Sequence, residues 1–349
     1  MKKNEFYNLN SLLGHASQKE KIYFYTILGA RGYGKTFAVQ RFLVKKFLKK
    51  KIPFYWIRLN EGATKKLLAN NAEKLIDQKL VRKYKLNLQT KGNQVYNVKF
   101  DNEGKLIKQE LMCTVLALST FYSDKGTARF DGDFLNNPDM YYHIVLDEFQ
   151  KEKTEKSQGD IAYQFVNQME NIIRDSHERI KIFLIGNTLE EASDILATCF
   201  NFIPEKFGRY VLKKKKCIID YVESSKEYKQ RREKSVANLL TPQASTFTNK
   251  IEMDKSLVFK GRLKTPNTII KFSKDINSWF TIWDDNIVCK YNKEKISQIV
   301  AMRPYIDQSF FPVYRDLIID NFDRRNYRFR NLITMKLFQR ELQLLKPRK

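Results

Sequence analysis

Glycine and proline are scarce in this chain, 13 and 8 among 349 residues, so it is neither collagen-like nor a low-complexity linker protein. Cysteine is scarcer still. Cys113, Cys199, Cys217 and Cys289 lie far apart and make no C-x-x-C pair, which excludes a disulfide scaffold and argues for four reduced thiols in a cytosolic protein. His15, His143 and His177 do not cluster with them, so no zinc site is expected. No run approaches the roughly 18 apolar residues of a membrane span. The opening Met1-Lys-Lys-Asn-Glu-Phe lacks the apolar core of a signal peptide, and no membrane partner is expected. Acidic residues are also short: 39 Asp and Glu against 64 Lys and Arg give a net charge of +25. Such an excess points to a polyanion, nucleic acid above all.

Three of the few glycines fall in one octet, Gly29-Ala30-Arg31-Gly32-Tyr33-Gly34-Lys35-Thr36. It fits G-x-x-x-x-G-K-[ST], the phosphate-binding P-loop. About one chain in a hundred of this length would carry it by chance. The context is also right: the β-type run 22–28 precedes it, and Phe37, Ala38, Phe42, Leu43 and Phe47 follow at helical spacing. In this pattern backbone N–H groups cradle phosphates, Lys35 reaches the β- and γ-phosphates of ATP, and Thr36 ligates Mg2+. The lysine run 45–51 suits either the negative end of that helix or a nucleic-acid contact.

Pro53 to Arg58 reads as a second buried strand, making a βαβ unit and a mostly parallel sheet. Residues 60–90 read as helical and basic, and strand-like runs between 95 and 118 flank a turn at 101–104. Tyr142-His-Ile-Val-Leu-Asp147-Glu148 is an apolar strand ending in two acids, a Walker B pattern, 112 positions on from Lys35 to Asp147. Asp147 would hold the magnesium, and Glu148 would orient and deprotonate the attacking water. A helix over 161–174 follows, with Ile161, Phe165, Val166, Met169, Ile172 and Ile173 on its apolar side. The next strand, 180–186, ends at Asn187, which either senses the γ-phosphate or starts a turn. Because the Asp-Glu strand is not second in sequence, at least one strand should lie between it and the P-loop strand.

These features predict an α/β P-loop NTPase of the ASCE type, with a mostly parallel sheet and flanking helices, followed by a smaller α+β domain. The expected boundaries are 1–210 for the ATPase, 211–250 for a basic connection, and 251–349 for the C-terminal domain. In the latter, short strands are expected at 257–260, 268–272, 278–283 and 286–290, the last two joined by a turn at Asp284-Asp285. From Arg324 to Lys349 there are nine basic residues and one acid. Tyr327 and Phe329 alternate with arginines there, which suits nucleic-acid binding or a solvated basic helix.

The segments Ile27-Leu-Gly-Ala-Arg-Gly-Tyr-Gly-Lys-Thr36, Ile144-Val-Leu-Asp-Glu-Phe149 and Ile185-Gly-Asn187 resemble the DNA-packaging ATPases of small short-tailed phages whose motor includes a packaging RNA. The resemblance covers most of the chain and is diffuse in the C-terminal part. It implies a homopentameric ring that docks on the portal and pumps double-stranded DNA into a procapsid, in the host cytoplasm. It implies an RNase H-like C-terminal domain that binds nucleic acid without nuclease activity. It also implies basic residues acting on a neighbour's nucleotide: Arg174 as arginine finger, with Arg179 as fallback, and Lys125. Arg31 fits the family's P-loop. The basic stretch that the family carries after its second strand is here Arg58-Leu-Asn-Glu61, which shifts the expected DNA contact to Lys65 and Lys66. Two other classes fit the residues without the resemblance: a helicase or replication ATPase, and a nucleic-acid-binding structural protein that holds nucleotide without turnover.

Overall fold

The computed structural model describes residues 6–16, 21–125, 141–150, 159–173, 179–187, 193–236, 255–263, 266–271, 279–283, 286–290, 305–307 and 312–345. The chain forms two compact units. The first is Met1–Leu189 with Pro204–Glu252, and the second is Glu190–Ile203 with Met253–Lys349.

The first unit is built on a nine-stranded sheet. Its strands are β1 (Phe24–Gly29), β2 (Phe54–Arg58), β3 (Leu88–Lys91), β4 (Gln94–Phe100), β5 (Leu106–Ala117), β6 (Tyr142–Asp147), β7 (Ile180–Gly186), β8 (Gly208–Leu212) and β9 (Cys217–Val222), in the order β3-β4-β5-β2-β6-β7-β1-β9-β8. Strands β5, β2, β6, β7, β1 and β9 run parallel, and β3, β4 and β8 add antiparallel edges. Parallel strands are covered on both faces and therefore read as apolar runs. Accordingly β6 is buried along its whole length, and β7 at all but one position. The expected intervening strand is β7, which hydrogen-bonds to both β6 and β1.

Helices are α1 (Leu9–Ala16), α2 (Lys35–Lys50), α3 (Glu61–Ala72), α4 (Gln78–Tyr84), α5 (Ile161–Ile173) and α6 (Lys226–Glu233). Helix α2 buries Val39, Leu43, Val44 and Phe47 and ends where Lys51 adopts left-handed backbone and returns its N–H to Phe47. The region 60–90 is less helical than its composition suggested. Asn70 and Asn71 take left-handed backbone and break α3, and the chain enters β3 by Leu88. Helix α5 buries Ile161, Phe165, Met169 and Ile172 as expected, but Val166 is 54% exposed.

The connection expected at 211–250 needs correction. Strands β8 and β9 occupy its first part, because Cys217-Ile-Ile-Asp-Tyr-Val222 is apolar enough to pair beside β1, and Cys217, Ile218 and Ile219 are fully buried. Lys213–Lys215 is the turn of that hairpin.

The second unit carries a sheet in the order β13-β10-β11-β12-β14, with β10 (Pro266–Lys271), β11 (Trp279–Trp283), β12 (Ile287–Lys290), β13 (Tyr305–Asp307) and β14 (Arg328–Phe329). Strands β10, β11 and β12 form an antiparallel meander, and β13 and β14 join its edges in parallel. The residues of the predicted turn, 284–285, lie outside the described residues. The strand expected at 257–260 is only a bridge from Val258 to Phe329. Helices α7 (Pro312–Asp323) and α8 (Leu332–Leu345) complete the unit, and the turn Leu196–Phe200 packs against α8.

Tyr327 and Phe329 are not a stacking platform. Both are buried in this unit's core, each with its ring against Phe338, because strand alternation turns the aromatics inward and the arginines outward. Phe329→Ala should therefore destabilise the fold by about 3–5 kcal/mol, read in a denaturant melt.

His143 is buried in β6 between Phe42 and Phe183, and burial, aided by Lys181 and Lys46, pushes its pKa down to about 3. An unfolded histidine titrates near pH 6.5. Between those values the unfolded chain binds a proton that the folded chain refuses, so this stability is present above about pH 6.5 and declines as pH falls towards 3, by up to about 1.4 kcal/mol per unit. His143→Phe should flatten the dependence of stability on pH between 4 and 6 by about one proton. An unchanged slope in denaturant titrations would refute the assignment.

Candidate nucleotide site

Four chain ends meet at the carboxyl edge of the parallel sheet. The P-loop leaves β1, Asn187 follows β7, Asp147 closes β6, and Arg58 closes β2. This is the edge where open α/β sheets bind ligands. The register fixes the neighbours: Asp147 lies beside Ile185, and Ile57 beside Leu146, so Arg58 is delivered next to Asp147.

Gly32 and Gly34 have φ of +80° and +87°, values that L side chains rarely adopt, and the loop closes onto the first turn of α2. Lys35 is buried, and its ammonium donates to the carbonyls of Gly29 at 2.8 Å and Ala30 at 2.7 Å. An ammonium has three N–H donors, so one remains for a phosphate oxygen. Burial lowers the Lys35 pKa to about 8, against the opposing pull of Asp147 and Glu148. Arg31 is exposed on the loop.

The Thr36 hydroxyl donates to Asp147 Oδ1 at 3.3 Å, reaching across β7. A threonine hydroxyl beside a buried carboxylate is a set of hard oxygen donors, and Mg2+ takes few protein ligands because phosphates and water supply the rest. The residues therefore fit a magnesium nucleotide. Among the described residues no group of three or more His, Cys, Asp or Glu offers an all-protein metal cage.

Glu148 follows directly on left-handed backbone, φ 55°, and its carboxylate is half-exposed. Backbone strain of this kind concentrates at functional sites. Phe149 then turns back, donating its N–H to Ile185 and packing its ring over Gly186, where a Cβ would lie 2.8 Å from that ring. That contact fixes the strand ends carrying Glu148 and Asn187.

Sequence reasoning missed the role of Arg58. Its guanidinium pairs with Asp147 Oδ2 at 3.1 Å and also grips Glu148 Oε2. It is thus turned into the site. Burial pushes the Asp147 pKa up to about 6, and Arg58 is the first influence holding it down. The sequence shows only an arginine closing an apolar strand; that this strand lies beside β6 comes from the fold. Of the residues expected to take over the DNA contact, Lys65 pairs with Glu61 on the exposed face of α3.

Lys125 is exposed, with its ammonium over the Tyr122 ring, and buried Gln168 of α5 ties neighbouring Asp124 in place. Arg174 lies outside the described residues. Arg179 precedes β7, at the opposite end of that strand from the nucleotide edge. All four cysteines are free thiols.

A glycine loop between β1 and α2, a hydroxyl–aspartate pair across β7 and a glutamate beyond it define a P-loop ATPase. The chain belongs to the family of the podovirus DNA encapsidation protein (Gp16), whose model matches residues 1–337. Among solved structures, the phi-28 gp11 DNA packaging motor is similar with a TM-score of 0.64 at 16% identity, over 99% of this chain and 100% of that one. The bacteriophage phi-29 viral genome packaging motor assembly is similar with a TM-score of 0.56 at 18% identity, over 97% of this chain and 100% of that one. At such identities the likeness speaks for the fold. No curated protein matches by sequence.

Removing one partner of a buried charge pair strands the other. Arg58→Ala should lower stability by roughly 2–4 kcal/mol, whereas Asp147→Asn removes a carboxylate whose charge burial already opposes and should cost little at neutral pH; in the Asp147→Asn background Arg58→Ala should cost less, by about 1 kcal/mol or more. Additive losses in denaturant melts would show that the pair does not act as a unit.

Proposed function

We propose that this chain is the ATPase that drives double-stranded viral DNA into a procapsid. The carrying observation is the convergence of Lys35, Thr36, Asp147 and Glu148 at one sheet edge, in a chain of the DNA encapsidation family. Thr36 and Asp147 would hold Mg2+, which would supply positive charge to offset that of the phosphates. Lys35 and the loop N–H groups bind the phosphates. Glu148 accepts the proton of the attacking water, and it must first leave the guanidinium of Arg58. Asn187, just past the end of the strand between Asp147 and the P-loop, would sense the γ-phosphate in this reading.

The net charge of +25 supports a grip on the phosphate backbone, with little sequence preference and strong salt dependence. The working form in this reading is a ring, pentameric by family likeness, docked on a portal and packaging RNA in the host cytoplasm. Arg174 and Lys125 then act on the neighbouring subunit's nucleotide. The meander with β13 parallel to β10 supports an RNase H-like fold for the C-terminal unit, which by family likeness binds nucleic acid without cutting it. Among the described residues no helix is long and apolar enough to cross a membrane.

Duplex DNA should stimulate ATP hydrolysis, less so as salt rises. Glu148→Gln should cut turnover by about a hundredfold or more while still binding ATP, and Lys35→Ala should lose binding. Mixing Glu148→Gln with Arg174→Ala should restore part of the activity, because the second variant keeps its own glutamate and borrows the first one's arginine. Unstimulated turnover, indifferent to Glu148→Gln, would remove the motor reading.

A further inference from the structure

The P-loop is held from outside as well as from within. Tyr228, on α6, is fully buried, and its hydroxyl donates to the carbonyl of Arg31. Burial raises its pKa, so the phenol stays a donor through neutral pH. Its ring meets Tyr33 edge-on at 5.2 Å, and the Arg231 guanidinium lies over it at 5.4 Å. Two residues further along the loop, Tyr7 donates its backbone N–H to the carbonyl of Tyr33 at 3.0 Å. Phe6 packs against Gly34 and lies under the same Arg231, at 4.7 Å. Tyr7 is itself fixed by its hydroxyl on Asp220 of β9, which Arg209 of β8 also grips.

A trans peptide is planar, with its C=O and N–H on opposite sides. Holding the Arg31 carbonyl outward therefore turns the Gly32 N–H the other way, and holding the Tyr33 carbonyl outward does the same for Gly34. Successive N–H groups turned to one side make an anion-binding nest. We infer that Tyr228 is a positioning residue for the nucleotide's phosphates: through the Arg31 carbonyl it fixes the peptide whose N–H belongs to the phosphate cradle. Tyr228 touches no phosphate in this arrangement. It lowers the cost of ordering the loop when phosphate binds. The inference rests on the ATPase reading of the same site.

Tyr228→Phe removes the hydroxyl and keeps the ring packing. Binding would be read on the full chain with magnesium, as displacement of a fluorescent ATP analogue by ATP and by inorganic triphosphate. Lys35→Ala serves as the control. Tyr228→Phe should weaken both competitors by the same factor, about three- to tenfold, the worth of one hydrogen bond. The KM for ATP should rise in step while kcat at saturation stays within about twofold, and a thermal melt should show less stabilisation by ATP than in the native chain. Native affinities in the variant, with any effect confined to its nucleotide-free melting temperature, would overturn the inference and leave Tyr228 a packing residue. Loss for ATP but not for triphosphate would also overturn it, by placing Tyr228 at the base. A native chain that binds no better than Lys35→Ala would instead sink the nucleotide reading, and this inference with it.

Discussion

Parallel strand pairing is the constraint on which the site depends. Strands β2, β6, β7 and β1 share one direction, so their carboxyl ends fall on one edge. None of the four functional segments is near another in sequence. Register alone sets Arg58 beside Asp147, and it leaves one strand's width between Asp147 and the P-loop for Thr36 to bridge. A slip of one residue in β6 would turn Asp147 to the other face of the sheet.

Charge at this sheet edge is buried at a cost. Asp147 is buried, and its neighbours Glu148 and Lys35 are held close by. Arg58 answers both carboxylates, and Lys35 answers its own loop's carbonyls. Both pairings are made between groups of this chain alone.

What could be read in the sequence was what local pattern carries. The glycine octet, the apolar strand ending in Asp-Glu, and the strand between them needed only spacing. Arg58 escaped because its role arises from pairing between β2 and β6, 89 positions apart from Arg58 to Asp147. Tyr327 and Phe329 were misread because alternation of arginine with aromatics describes a half-buried strand as well as a stacking surface. Strands β8 and β9 were obscured by the lysines of the turn joining them. Tyr228 and Tyr7 carry no motif, since they meet the P-loop only through the fold.

The two units are interleaved in sequence. Residues Glu190–Ile203 belong to the second unit although the first unit continues from Pro204, and Asp194 pairs with Lys336 of α8 at 3.5 Å. The backbone therefore passes between the units three times, after Leu189, after Ile203 and after Glu252. Each unit is thus completed by chain from both sides of the other in sequence, so neither can be cut out of the gene as one continuous stretch.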